Sequence, residues 1–226
     1  MTGYGQFCAV ARALEVLGER WTLLIVRELL LGAATYTDLR RGLPRIPRAT
    51  LAARLRALTG AGVVEATGGG YRLTAAGAAL APTVQGLAAW ATGAGRLPLA
   101  DEHLDTAALT WDIQRRVDVA ALPERTVVVA VEFTDRTVDR HHWLHLARTG
   151  VNLCREDTGA PVDVWLAAPL RAATRWWLGE LTWAGFLRQP SVRVHGDPAL
   201  VRRMPHWFLG YLLRADDDAA TKSGRG

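Results

Sequence analysis

Arg40, Arg41, Arg45, Arg48, Arg54 and Arg56 fall between Tyr36 and Arg56, where Asp38 is the single acid. Guanidinium groups at this density suit a polyanion. Each is a planar fork of donors that fits a phosphate or, bidentately, the major-groove edge of guanine. In "PRATLAARLRAL", residues 47–58, Leu51, Leu55 and Leu58 recur at i, i+4 and i+7 and predict a helix with one buried stripe. Pro47 is expected in its first turn. At about 100° per residue, Ala49, Ala53 and Arg56 lie opposite the leucines and Arg48 and Arg54 flank them. The outer face is slim with basic edges, so a groove could admit it. The candidate DNA-contacting residues are Arg40, Arg45, Arg48, Ala49, Thr50, Ala53, Arg54, Arg56 and, downstream, Arg72. A solvated amphipathic helix has the same pattern, and the surrounding elements must decide.

Composition narrows the choice. The 226 residues carry a net charge of +5 and are 50% hydrophobic, enough for a packed core. Residues 1–95 hold 10 of the 27 basic side chains and 5 of the 22 acids, so the whole excess lies there and the remainder is balanced. Seven of the nine tryptophans follow residue 95. Two domains with different tasks are expected: 1–95, a linker at 96–104, 105–213, and a disordered polar tail at 214–226. No apolar run reaches the roughly 18 residues that span a bilayer, and "WTLLIVRELLLG" is interrupted by Arg27 and Glu28. With no basic, apolar leader at the N-terminus, the expectation is a cytoplasmic protein with no membrane partner. Cys8 and Cys154 alone cannot build a disulfide framework, though either could be a reactive thiol.

The elements that would position the arginines follow in order. One helix is expected from about Cys8 to Leu17 and a second in "ERWTLLIVRELLLG", with Trp21, Leu24, Ile25, Glu28 and Leu29 on one side. A short third is capped by Thr35 or Thr37, and the turn "GLPRIP" leads into the arginine-edged helix. "VVEA", "TGGG" and "YRL" read as a short hairpin, and Thr74 as the cap of a long helix to about Ala94. Helix, helix, helix-turn-helix, wing and long helix make a winged helix-turn-helix.

"FCAVARALEVLGERWTLLIVRELLLG", "YTDLRRGLPRI", "LAARLRALTGAGVVE" and "YRLTAAGAAL" resemble the DNA-binding domain of HxlR-type bacterial transcriptional regulators over residues 4–95. The resemblance implies a regulator, expected here to repress, that joins as a homodimer through its first and last helices on a palindromic duplex operator. Ala9 stands where a proline is common, and the wing is short. The resemblance also places Cys8 where some members carry an oxidant-sensing cysteine. A small buried residue at the dimer contact is the other reading of Cys8.

Beyond residue 105 a helix, "TAALTWDIQRRVD", precedes a valine-rich strand, "RTVVVAVEFTD". "HHWLHLAR", "GVNLCRED" and "PVDVWLAA" continue a largely antiparallel sheet, followed by "PLRAATRWWLGEL" and "TWAGFLRQP" as helices, "SVRVHGD" as a strand and "PALVRRMPHWFLGYLL" as a closing helix. The order resembles the sterol carrier protein-like α+β fold, which implies an apolar tunnel for a hydrophobic small molecule. Trp143, Trp165, Trp176, Trp177, Trp183, Phe186 and Trp207 are the candidate ligand-binding residues, with core filling as the other reading. In "HHWLH", His141 and His145 would share a helix face as zinc ligands do, but a strand is the better reading, and no metal or cofactor is expected. No nucleophile elbow, phosphate loop or carboxylate pair is present, so the chain is read as a ligand-responsive regulator rather than an enzyme. A hydrophobic-ligand carrier that uses its winged domain only to dimerise is the alternative.

Overall fold

Leucine stripes and short polar caps set the first half of the chain. The computed structural model describes residues 3–95 and 97–211, so the expected tail at 214–226 lies outside the described residues. The chain divides into two units, Met1–Arg96 and Leu97–Gly226. In the first, α1 (Ala9–Leu17) starts at Cys8, its N-cap. Helix α2 (Thr22–Leu30) follows Trp21, whose φ of 79° is in the left-handed region that a bulky residue rarely occupies. Trp21 therefore stands outside the helix, and the face expected from it is rotated: Ile25, Val26, Glu28 and Leu29 are buried and Leu24 is exposed.

Helix α3 (Tyr36–Gly42) is closed at its start by a reciprocal cap. The Asp38 N–H donates to Thr35 Oγ1 at 3.1 Å, and the Thr35 N–H donates to Asp38 Oδ2 at 3.2 Å. Gly42 abuts the buried Glu28, which pairs with Arg27. A Cβ on Gly42 would lie 1.8 Å from Glu28 Oε2, so glycine is what lets α3 end against α2. Helix α4 (Arg48–Gly60) buries Leu51, Leu55 and Leu58. Pro47 is its N-cap, with extended backbone (ψ 140°), one residue ahead of the expected helical position. Strands β1 (Val64–Thr67) and β2 (Gly70–Leu73) form the hairpin in antiparallel register, Val64 opposite Leu73. This is a winged helix-turn-helix.

The expected long helix after Thr74 is two helices, α5 (Ala75–Ala78) and α6 (Ala81–Thr92). Pro82 is the cause. It cannot donate to the carbonyl four residues back and its ring crowds that carbonyl, whereas the first turn of a new helix accepts it.

In the second unit Asp105 caps α7 (Thr106–Arg115), its Oδ1 accepting the Ala108 N–H at 2.9 Å. A five-stranded sheet follows, made of β3 (Val127–Phe133), β4 (His141–Ala147), β5 (Gly150–Cys154), β6 (Val164–Ala168) and β7 (Arg193–Gly196) in the order β5-β4-β3-β6-β7. Only the β3–β6 pair is parallel. Helices α8 (Leu170–Trp177), α9 (Trp183–Leu187) and α10 (Pro198–Arg203) and a 3-10 turn, Met204–Trp207, complete an α+β unit. Alternation along the strands sends Val127, Val129, Phe133, Leu144, Leu146, Val164 and Leu166 into one core with residues of all four helices. Val128, Ala130 and Trp143 form a smaller cluster on the opposite face.

Two boundaries differ from expectation. Residues 97–104 are part of the second unit rather than a linker. Leu104 is buried in its core, and Arg171 holds the segment through Asp101 (2.6 Å) and the Leu99 carbonyl. The closing helix stops at Arg203. Pro205 follows in the 3-10 turn, and Phe208 then forms a β-bridge to Val117.

Candidate nucleic-acid interface and interior cavity

Helix α4 presents Arg48, Ala49 and Arg56 to solvent, with Thr50, Ala53 and Arg54 half-buried beside them. The Tyr36 hydroxyl donates to the Arg48 carbonyl at 3.1 Å and ties the two helices of the turn together. Arg48 and Arg56 have no ion-pair partner among the described residues. Arg54 does: Glu19 accepts from its Nη2 at 2.6 Å and the Arg20 carbonyl from its Nε at 3.3 Å. Its guanidinium fastens α4 to the turn between α1 and α2 instead of standing free as the helix projection implies. Arg72 is likewise engaged, 2.7 Å from Glu65, the residue opposite it in the hairpin register, which neutralises the wing's cation. Arg40 is half-buried on α3, and Arg45 is exposed in the connecting turn.

Helices α1 and α6 carry apolar side chains into water. Val10 is 66% and Trp90 55% exposed, and Phe7, Leu14 and Leu87 are exposed with them. Cys8 is also exposed. The backbone N–H groups of Ala11 and Val10, at the start of α1, draw its thiol below the ordinary value, as a helix N-terminus does for a thiolate.

In the second unit the predicted tryptophans separate. Trp176 contacts Trp183 and Phe186, with ring centroids at 5.1 and 5.6 Å, and Trp177 at 6.2 Å. Trp177 Nε1 donates to Asp112 Oδ2 at 2.7 Å. These rings and Trp207 fill the core. Trp143 and Trp165 belong to the other face of the sheet, Trp165 being 46% exposed. A cavity of about 30 Å³ lies between the sheet and the helices, lined by apolar side chains of β3, β4, β6, α7 and α8, by Met204 and Phe208, and by Thr110 and His142. Trp176 is the one predicted aromatic that lines it. His141 and His145 stand on the outer face, His145 Nε2 lying 3.1 Å from Thr158 Oγ1.

The HxlR-like helix-turn-helix family matches residues 16–96. YvaP, an uncharacterized HTH-type transcriptional regulator of Bacillus subtilis, is 34% identical over 88 residues, 36% of this chain and 82% of YvaP. The chain belongs to the HxlR-like helix-turn-helix family. An uncharacterized HTH-type transcriptional regulator of Mycobacterium tuberculosis is 43% identical over 89 residues, 36% of this chain, and the chain spans 56% of that relative's length. Among solved structures, the ubiquinone synthesis protein UbiJ-SCP2 is similar over 56% of this chain and 93% of its own at 14% identity, with a TM-score of 0.32.

The HxlR-like match ends at residue 96, where the first unit ends, so the cavity lies outside it. Two residues of these sites, Glu19 and His142, are not among the predicted ones. Glu19, which holds Arg54, is 35 positions away, and nothing local marks it. His142 was legible: in a strand it shares a face with Leu144 and Leu146, the apolar side, whereas His141 and His145 share the other.

Proposed function

We propose that this HxlR-like protein is a DNA-binding transcriptional regulator of the cytoplasm, a repressor that grips a palindromic operator as a homodimer and responds to a hydrophobic small molecule in its second unit. The observation that carries the DNA reading is the outward face of α4: two exposed arginines without ion-pair partners among the described residues, Arg48 and Arg56, beside the small side chain of Ala49. Alanine lets the helix backbone approach the floor of the major groove, and the arginines reach phosphate or guanine. The exposed apolar residues of α1 and α6 are the surface that a second copy would bury. The sterol carrier protein-like reading of the second unit is supported by its α+β element order, and the ligand by the apolar cavity between sheet and helices. The chemistry is recognition, not turnover.

Measured by anisotropy with labelled duplex, the full chain should bind as a dimer with steep salt dependence. With all four guanidiniums on phosphate, two per protomer, the log–log slope reaches about −3.6, a loss of about 150-fold between roughly 50 and 200 mM salt, and each one that reads a base instead flattens it by about 0.9. A slope near zero overturns the interface. Cys8 supports a second, thiol-based response, because it is exposed and its thiolate is favoured at the start of α1. Peroxide should then release the parent protein from duplex and leave a Cys8→Ser variant bound. Equal release of both removes the thiol.

A further inference from the structure

Strand β4 delivers one polar ring to the apolar side of the sheet. His142, opposite Val131 in register, is 0% exposed and lines the cavity, and neither ring nitrogen has a hydrogen-bond partner among the described residues. The Phe133 ring meets it edge-on with centroids 5.5 Å apart. A buried imidazole without partners is destabilising by about 1–3 kcal/mol on protein mutational scales, so its place in the wall calls for a matching group. Among the described residues no carboxylate or cationic side chain lines the cavity. A cationic ligand would meet no counter-charge there, nor would an anionic one, since burial holds His142 neutral. A neutral imidazole offers one N–H donor and one acceptor nitrogen. Thr110, also in the wall, donates its hydroxyl proton to the Thr106 carbonyl at 2.7 Å, which leaves its oxygen as an acceptor. A carbonyl can use only the N–H. A hydroxyl accepts from the N–H or donates to the bare ring nitrogen, and when it accepts it still has a proton to give to a second acceptor such as the Thr110 oxygen.

We propose that this cavity binds a neutral, otherwise apolar alcohol or phenol whose hydroxyl hydrogen-bonds the imidazole of His142. The inference rests on the reading that the second unit takes a hydrophobic small molecule, and it names the polar end of that molecule. Space agrees with such a head group. About 30 Å³ is room for roughly two waters, hence for a hydroxyl and the first carbons behind it. The apolar remainder would leave past Val131 and Phe208, the two lining residues that are only half-buried.

The test uses the full chain with 4-propylphenol and propylbenzene, which differ by the hydroxyl alone. Calorimetry should give at least about tenfold tighter binding of the phenol, the worth of one buried hydrogen bond, although propylbenzene is the more hydrophobic. In 15N-labelled protein the phenol should shift the imidazole resonances of His142 and propylbenzene should not. In His142→Phe the preference should fall to within about twofold. The shift is read in the parent protein, so it decides the matter even if the variant fails to fold. Equal binding of both probes, or a phenol that leaves the His142 resonances in place, overturns the role of His142 and keeps the hydrophobic-ligand reading. If neither probe binds and the cavity admits water only, both are overturned.

Discussion

Replacing Arg48 and Arg56 together by alanine should weaken operator binding by about a thousandfold or more while the dimer and its melting temperature stay unchanged. An arginine on a base contributes about 1–3 kcal/mol and a charge-assisted hydrogen bond to phosphate about 1.5–3 kcal/mol; a homodimer loses four such groups, so the lower bound is about 4 kcal/mol on either contact. Both side chains are exposed and have no ion-pair partner among the described residues, so removing them exposes no buried group. The salt slope divides their work: removing an arginine that sits on phosphate flattens it by about one, whereas removing one that reads a base relaxes specificity at one position and leaves the slope. Arg54→Ala is the control. Its guanidinium is held by Glu19 and the Arg20 carbonyl, so its removal should change stability by no more than about 1 kcal/mol, as for a solvent-facing pair. Its effect on DNA affinity should be under about fivefold. If Arg54→Ala abolishes binding and the double variant does not, α4 presents a different face to the groove.

The contrast among these arginines shows what a linear pattern can carry. Helix periodicity places Leu51, Leu55 and Leu58 inside and the arginines around them, because burial of one stripe is a local property of a helix. Whether a given guanidinium is free depends on what the fold brings opposite it, and Glu19 reaches Arg54 only because of the turn between α1 and α2. The strands of the second unit were readable from valine-rich runs bounded by turn residues, and Pro82 carried the break between α5 and α6 in plain sight. The abundance of tryptophan did not say where the rings would go. Trp176, Trp177, Trp183 and Phe186 pack on one another and use their area as core, while Trp143 and Trp165 fall on the opposite side of the sheet by strand alternation. Aromatic content reports available surface, not concavity, whereas the alternation of β4 pointed to His142.

Acid should destabilise the second unit through that same residue. Burial pushes the pKa of His142 down to about 4. The neighbouring Asp139 works in the opposite direction, and the positive charge of Arg155 and the nearby His141 work with burial. In the unfolded chain the imidazole titrates near its ordinary 6.5. The folded value lies below the unfolded one, so on acidification the unfolded chain takes up its proton first. The neutral histidine's contribution is complete above about pH 6.5 and is lost progressively as the pH falls towards 4. The gap between the two values corresponds to at most about 3 kcal/mol, a large part of the stability of a domain this size. Urea titrations followed by tryptophan emission, which reports chiefly on the second unit because seven of nine tryptophans lie there, should show the midpoint falling between pH 7.5 and 4.5. In His142→Phe, where no proton can be taken up at this position, the fall should be smaller by about 2–3 kcal/mol over that range, whatever the carboxylates contribute to both proteins. Parallel curves for parent and variant would mean that the imidazole takes up its proton as readily in the folded chain as in the unfolded one, and is not sealed in the apolar wall.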